Sequence, residues 1–279
     1  MKRNKKKIIA FLILNFLLCI PFYFINDAGS ESMYMISIFA IMWIPAISSI
    51  VIKLFYDKSI KGYGWKLGKL KYILRGYILP VIGGLVVYSF VWIAGLGGLT
   101  FENFPGNFVT KILMAATVGV LFSIITAIGE EIGWRGFLVP ELFKSYSFTK
   151  TSLIVSGIWA IYHFPGIIYG NYNSGVENWY VLIFFTLQII GLSFITTWLR
   201  LKSGSMWPAI ILHASHNLFI QRVFDGLTKD FGITKYITTD FGAGLAVFYI
   251  IIALLIWKNR HNISLAGTQS GVIFLWMVV

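Results

Sequence analysis

Long apolar runs separated by short polar and basic segments make up almost the whole chain. The hydrocarbon core of a bilayer is about 30 Å thick, and a helix of about 20 residues crosses it. Eight windows have the required length and apolar character: 8–26, 33–55, 76–99, 112–138, 152–170, 179–199, 205–221 and 241–257. The pattern predicts an all-α fold, a polytopic bundle of about eight transmembrane helices.

The composition supports a membrane protein and excludes several other classes. Hydrophobic residues make up 57% of the 279 residues and charged residues only 12%, which leaves no separate soluble domain. The single cysteine, Cys19, excludes a disulfide or a cysteine-rich metal site within one chain, and we interpret it as a small apolar residue in a helix. The net charge of +12 does not indicate a nucleic-acid partner, because the basic residues flank the apolar windows.

The distribution of basic residues predicts the orientation in the membrane. With the N-terminus in the cytoplasm, only four of the 23 basic residues fall outside: Lys111, Arg222, Lys229 and Lys235. Lysine and arginine are enriched in cytoplasmic loops, so we expect both termini to be cytoplasmic. We expect a multi-pass protein of a cell membrane, the plasma membrane of a bacterium, in contact with the lipid bilayer.

Three regions follow from this arrangement. Residues 1–111 are expected to hold the first three helices and a basic cytoplasmic loop. Residues 112–221 would form a core of helices four to seven. Residues 222–279 would form an extracytoplasmic loop, the last helix and a cytoplasmic tail.

Three charged residues lie inside the fourth apolar window. Glu130, Glu131 and Arg135 would each cost about 2.5–3.5 kcal/mol at the centre of a membrane helix, so we expect them to have a function. Glu131 and Arg135 are four residues apart, acid before base, and are predicted to pair. Glu130, about 100° around the helix, would then lack a local partner and face another helix.

Two other windows carry polar residues at a similar depth. Measured from the cytoplasmic helix ends, Glu130, His163 and His213 all lie about 15 Å into the membrane. Asn217 is one turn beyond His213 on the same helix face. One cavity could hold all four side chains. A buried carboxylate with a histidine opposite could activate water, and His213 with Asn217 could stabilise a developing negative charge.

Three ordered motifs carry a family resemblance. They are Glu130-Glu131-Ile132-Gly133-Trp134-Arg135, Trp159-Ala160-Ile161-Tyr162-His163 and His213-Ala214-Ser215-His216-Asn217. They resemble the EE-x-x-x-R, aromatic-x-x-x-His and His-x-x-x-Asn motifs of the CPBP family. This family groups type II, Rce1-like CAAX prenyl endopeptidases with bacteriocin-processing and self-immunity proteins. The stretch 204–212 is also similar, and the resemblance covers about residues 117–220.

The resemblance implies a role for each matched residue. Glu130 and His163 would activate the hydrolytic water, His213 and Asn217 would hold the oxyanion, and Glu131 and Arg135 would support the site. One departure is Trp159, where the family more often has phenylalanine.

A metal is an alternative to the water mechanism. Glu130, His163 and His213 could supply three ligands of a tetrahedral zinc site, with water as the fourth. The soluble zinc-protease signature H-E-x-x-H is absent. Members of the family are often classed as metalloproteases, whereas the mechanism that we favour needs no cofactor.

Each candidate residue also has a structural interpretation. Glu131 with Arg135 is first of all an ion pair, and His216 is more often a packed histidine than a ligand. His163 could hydrogen-bond a backbone carbonyl freed by the nearby proline. Tyr162, Trp134 and Trp207 are interpreted as lipid-facing or packing aromatics.

The leading functional hypothesis is an intramembrane endopeptidase. Its substrate would be a peptide or a membrane protein, such as a leader peptide or a bacteriocin-like peptide. The alternatives are a noncatalytic membrane immunity or scaffold protein, and a proton-coupled transporter with Glu130 as proton relay. The oligomeric state is not indicated by the sequence.

Overall fold

The computed structural model describes residues 2–24, 31–170, 172–260 and 263. The predicted all-α fold is confirmed, and each of the eight apolar windows falls on a helix. Six helices in the described ranges are long and apolar enough to cross a bilayer, so the chain is a multi-pass membrane protein. The windows 205–221 and 241–257 fall on shorter helices, and the last residues of the third predicted region, 264–279, lie outside the described residues.

The helices follow one another with short connections. In chain order they are α1 (Lys2–Tyr23), α2 (Glu31–Asp57), α3 (Leu70–Ile93), α4 (Phe108–Met114), α5 (Val120–Glu131), α6 (Val139–Phe143), α7 (Phe148–Ile168), α8 (Asn178–Ser203), α9 (Trp207–Leu218), α10 (Thr234–Ile237) and α11 (Ala243–Lys258). Three π-helical segments continue these helices: Ala115–Gly119, Ile132–Leu138 and Phe219–Phe224. Helices α4, α5 and α6 thereby form one continuous helical segment, Phe108–Phe143.

The helices that carry the candidate residues are held by their neighbours. Helix α9 packs against α3, α5 and α8, while α8 packs between α7 and α11. Helix α2 packs against α1 and α5. The three helices α5, α7 and α9 are therefore fixed relative to one another, because α9 contacts α5 directly and α8 joins α9 to α7.

A close helix contact positions the acidic pair at the end of α5. A Cβ atom at Gly133 would lie 2.4 Å from Pro45 Cβ, so only glycine lets α2 approach so closely. The π-helical segment Ile132–Leu138 begins directly after Glu131. Such wide turns inside α-helices are frequent at functional sites.

The two ends of the bundle agree with the predicted orientation. Strands β1 (Gly97–Leu99) and β2 (Thr228–Asp230) pair antiparallel, with Gly98 opposite Lys229, at the end expected outside. Strand β1 stands where the predicted window 76–99 ends, because helix α3 already ends at Ile93. At the other end, Lys7 Nζ lies 2.6 Å from Asp57 Oδ2 and 2.8 Å from Glu141 Oε1. These contacts join parts of α1, α2 and α6 that are expected inside.

Two of the basic residues counted on the cytoplasmic side are buried in the bundle. Arg135 is completely buried within the helical segment that follows α5, and Arg200 near the end of α8 is only 4% exposed. Arg200 Nε donates a hydrogen bond to the Arg135 carbonyl oxygen (2.9 Å). Both residues form contacts inside the protein, and the remaining basic residues still favour the same orientation.

Cys19 is more than a small apolar residue in a helix, since its Sγ lies 2.9 Å from the Tyr162 hydroxyl.

Selective labelling tests the orientation. Lys61 and Lys229 are exposed at opposite ends of the bundle. We expect a membrane-impermeant maleimide to label Lys229→Cys in intact cells, and Lys61→Cys only after permeabilisation. The unchanged chain is the control, because its one cysteine, Cys19, is buried and should not react. The opposite labelling pattern would contradict cytoplasmic termini.

Candidate active site

Glu131 is the centre of a buried ionic network. Its Oε1 accepts a hydrogen bond from Arg135 Nη1 (2.8 Å), and neither side chain is exposed. The ion pair predicted from the four-residue spacing is confirmed. The same Oε1 lies 3.0 Å from His213 Nδ1, a contact that the spacing did not predict. Glu131 therefore links α5 to α9 as well as stabilising its own helix.

Arg135 has two further contacts, on α8 and α7. Its Nε donates to Thr196 Oγ1 of α8 (2.9 Å), and its Cζ lies 4.1 Å from the centroid of the Trp159 ring on α7. A guanidinium over an indole face gains cation–π energy, about 2 kcal/mol or more when desolvated. These contacts compensate part of the desolvation of the buried charges.

Glu130 is held by two tryptophans. Its Oε2 accepts hydrogen bonds from Trp159 Nε1 (2.7 Å) and Trp134 Nε1 (3.0 Å). The prediction that Glu130 lacks a local partner is therefore wrong, because Trp134, four residues ahead on the next turn of the same helical segment, donates to it. No hydrogen bond to Glu130 Oε1 is formed by the described residues. His163 and His213 both lie within electrostatic range of this carboxylate.

Of the aromatic residues interpreted as lipid-facing or packing, Trp134 and Tyr162 are packing residues. Trp134 is completely buried and Tyr162 is 1% exposed, so neither faces lipid. Trp159, which stands where phenylalanine is commoner in the family, supplies an N–H that phenylalanine cannot. Its ring lies between the two candidate histidines, with centroids 6.1 Å from His163 and 5.7 Å from His213.

Both histidines use the same ring nitrogen, Nδ1, for a hydrogen bond within the protein. His163 Nδ1 lies 2.8 Å from the carbonyl oxygen of Trp159, and His213 Nδ1 lies 3.0 Å from Glu131 Oε1. Both oxygens are acceptors, so each Nδ1 carries the proton and each Nε2 is left for another partner. The carbonyl freed by Pro165 would be that of Ile161, so His163 does not fill the gap left by the proline.

One small cavity brings together three of the four predicted catalytic residues. His163, His213 and Asn217 line it, whereas Glu130 is not in its wall. The cavity has a volume of about 30 Å³, which is enough for one or two water molecules. Other wall residues include Phe185 and Ile189 on its apolar side.

The wall residues Gln221 and Asp240 were not predicted from the sequence, whereas His216 was considered as a possible member of the site. His216 Nε2 lies 2.7 Å from Asp240 Oδ1, and Gln221 Nε2 donates to Asp240 Oδ2 (2.5 Å). Gln221 follows Asn217 by four residues, so helical spacing could have found it. Asp240 lies in a turn between α10 and α11, where no periodic signal points to a site.

The predicted metal ligands do not form a metal site. In the described part of the chain, no three His, Cys, Asp or Glu side chains are grouped so that they could hold an ion. Glu130 Oε2 is already bonded to two indole N–H groups, and Glu130 lies outside the cavity wall that contains His163 and His213. Among the described residues, Glu130, His163 and His213 are therefore not grouped as three ligands of one tetrahedral centre.

Comparison with known proteins assigns the middle of the chain. Residues 113–219 match the profile of the type II CAAX prenyl endopeptidase Rce1-like family. Over this segment the chain is similar to the Rce1-like family. The resemblance to the CPBP family that the three motifs carry is thereby confirmed.

A curated relative extends the match. The chain is 34% identical over 149 residues to CAAX prenyl protease 2 of Methanococcus maripaludis. The alignment covers 51% of this chain and 51% of the relative, so the chain spans about half the length of the relative that it matches. All seven defined residues of the three motifs lie in the Rce1-like segment, while Gln221 and Asp240 lie beyond its end.

Paired substitutions in the Rce1-like segment test whether Glu131 does more than neutralise Arg135. Glu131→Leu leaves a buried guanidinium without its counterion, so we expect the free energy of unfolding to fall by about 3–5 kcal/mol. Glu131→Leu with Arg135→Leu removes both charges and should recover most of this loss. Thermal and denaturant unfolding in detergent measure both variants.

The histidine reports the second role of Glu131. We expect the ¹⁵N resonance of His213 Nδ1 to move in the single and in the double variant, because its acceptor is gone in both. An unchanged His213 resonance in the stable double variant would contradict the Glu131–His213 contact. Glu102→Gln, an exposed carboxylate in a loop, is the control and should change neither stability nor the resonance.

Proposed function

We propose that this chain is an intramembrane endopeptidase that hydrolyses a peptide bond with an activated water molecule. One observation carries the proposal. Two histidines from different helices, His163 and His213, line one cavity, each with Nδ1 bonded and Nε2 available. The arrangement provides a proton acceptor and an oxyanion donor around a space of the size of a water molecule.

The first half of the site would activate the water. His163 Nε2 and Glu130 Oε1 are acceptor atoms to which the described residues donate no hydrogen bond. A water that gives its proton to this pair attacks the carbonyl carbon as hydroxide. The proton then passes to the leaving amine. The indole N–H groups of Trp134 and Trp159 hold the Glu130 carboxylate in place throughout.

The second half would stabilise the tetrahedral intermediate. Because His213 donates its Nδ1–H to Glu131, it can also donate from Nε2 only as the imidazolium. The carboxylate of Glu131 favours that charged form. His213 and the Asn217 amide would then donate to the oxyanion. Removing one such donor typically costs about 10²–10³ in kcat.

The substrate that we propose is a leader peptide or a small bacteriocin-like peptide at the plasma membrane of a bacterium. The apolar wall formed by Phe185, Ile189 and Leu192 supports apolar side chains near the scissile bond. The relative carries the name of a CAAX prenyl protease, so a prenylated peptide is the comparison substrate for the assay.

Loss of single residues tests the proposed chemistry. Glu130→Gln keeps the shape and the hydrogen bonds of the side chain but removes the base, and we expect cleavage to fall below about 1% of the unchanged protein. His163→Ala and His213→Ala should have effects of similar size. Mass spectrometry of small peptides from cells with each variant provides the measurement, and membrane levels should stay normal.

The alternatives predict different results. A noncatalytic immunity or scaffold protein would keep its phenotype in Glu130→Gln, and no peptide would be shortened in any strain. A transporter would produce a substrate flux into vesicles that depends on a proton gradient. Glu102→Gln is the matched control and should cleave normally.

Chelation tests the proposal that no metal takes part. We expect cleavage by purified protein to be unchanged after treatment with a strong chelator, because the proposed water mechanism needs no metal. Activity that is lost with chelator and restored by zinc alone would show that a metal is required.

A further inference from the structure

Asp240 is a buried carboxylate on the turn between α10 and α11. It is 5% exposed and lies in the wall of the same cavity as Asn217, although it is outside the Rce1-like segment. The proposed chemistry of water activation and oxyanion binding does not use it directly. Its position at the cavity raises the question of which group it serves.

Both oxygens of Asp240 accept hydrogen bonds from the helix that carries Asn217 and from its π-helical continuation. His216 Nε2 lies 2.7 Å from Oδ1, and Gln221 Nε2 donates to Oδ2 (2.5 Å). His216 is anchored in turn by the Tyr249 hydroxyl, 2.8 Å from its Nδ1. Asp240 therefore fastens this helix to the segment that leads into α11.

The electrostatic surroundings keep Asp240 ionised. Burial alone would raise the pKa of the Asp240 carboxyl, but the charge of His216 and the hydrogen bonds from His216 and Gln221 hold that pKa below its ordinary value. An ionised carboxylate can only accept hydrogen bonds. Any amide that contacts it must therefore present its NH₂ group.

The turn that carries Asp240 is costly to form. The preceding residue, Thr239, has a φ of +64°, which a β-branched residue rarely adopts. Its backbone N–H donates to the Tyr88 hydroxyl (3.0 Å). A Cβ at Gly242 would lie 1.9 Å from the Thr238 carbonyl oxygen, so the turn also requires glycine there. Strain of this kind persists where the surrounding structure enforces it, often beside functional groups.

Gln221 connects Asp240 to Asn217 by hydrogen bonds. Its NH₂ group is directed to Asp240, and the same Nε2 lies 3.4 Å from Asn217 Oδ1. With its carbonyl oxygen turned to Gln221, Asn217 keeps Nδ2 as the atom available to the cavity. We propose that Asp240 is a positioning residue that fixes the amide orientation of Asn217 through Gln221. This proposal rests on the proposed role of Asn217 as a donor to the oxyanion.

The relay has a direct consequence for the reaction. If Gln221 no longer holds the Asn217 carbonyl, the Asn217 amide can rotate and present oxygen to the developing negative charge. The change then reduces the stabilisation of the transition state and not the binding of the substrate. It should appear in kcat, with KM little changed.

A double-mutant cycle measures whether Gln221 acts through Asn217. Methionine at position 221 has a similar length to glutamine and cannot donate, and Gln221 is largely exposed, so the fold should tolerate the change. We expect Gln221→Met to lower kcat about tenfold and Asn217→Ala about a hundredfold. In the Asn217→Ala background, Gln221→Met should cause no further loss. Losses that multiply would overturn the relay.

The carboxylate is tested separately. Asp240→Asn should lower kcat as Gln221→Met does, because an asparagine can present either its oxygen or its NH₂ to Gln221. Asp230→Asn is the matched control, since Asp230 is a half-exposed residue of β2 outside the cavity, and it should leave kcat unchanged. Thermal midpoints show whether each variant is folded. If Asp240→Asn does not fold, the double-mutant cycle with Gln221→Met still tests whether Gln221 acts through Asn217.

A spectroscopic measurement is independent of peptide cleavage. The side-chain ¹⁵N–H₂ resonances of Asn217, identified by their loss in Asn217→Ala, should shift in Asp240→Asn. The shift should vanish when Gln221→Met is already present, because the hydrogen bonds that join Asp240 to Asn217 through Gln221 are then absent. A shift that is the same in both backgrounds would overturn the relay. If the unchanged protein cleaves no peptide, the proposed function fails, while this measurement still decides whether Asp240 orients Asn217.

Discussion

The buried ion pair of Glu131 and Arg135 is the contact on which the site depends. Two charges that leave water inside a membrane bundle carry a large desolvation penalty, which excellent geometry must compensate. The compensation comes from three helices: His213 on α9 contacts the carboxylate, while Thr196 on α8 and the Trp159 ring on α7 contact the guanidinium. The pair therefore fixes the relative positions of the helices that carry the reactive groups.

Trp159 connects this ionic network to the candidate base. Its N–H holds Glu130, its carbonyl oxygen orients His163, and its ring lies against Arg135 and beside His213. The Trp159 side chain thus binds Glu130 directly and packs against Arg135, the ion-pair partner of Glu131. A phenylalanine could provide the ring but not the hydrogen bond to Glu130, so this chain fixes its carboxylate with an additional donor.

The region that follows the Rce1-like segment completes the cavity. Asp240 and Gln221 contribute polar atoms to its wall, and Tyr249 of α11 anchors His216. The segment that carries the three motifs therefore does not enclose the site by itself. Differences among related proteins in this closing region would alter the cavity without changing a motif residue.

The sequence by itself determined the helical class, the positions of the helices, the ion pair of Glu131 with Arg135 and the family of the middle segment, because hydrophobic length, four-residue spacing and local motifs are properties of one helix at a time. Only the tertiary structure decided that His213 contacts Glu131, that Trp134 and Trp159 bind Glu130, and that Asp240 reaches the cavity. These contacts join residues far apart in the chain, and their geometry depends on how neighbouring helices pack and on a strained turn that no periodic pattern reveals.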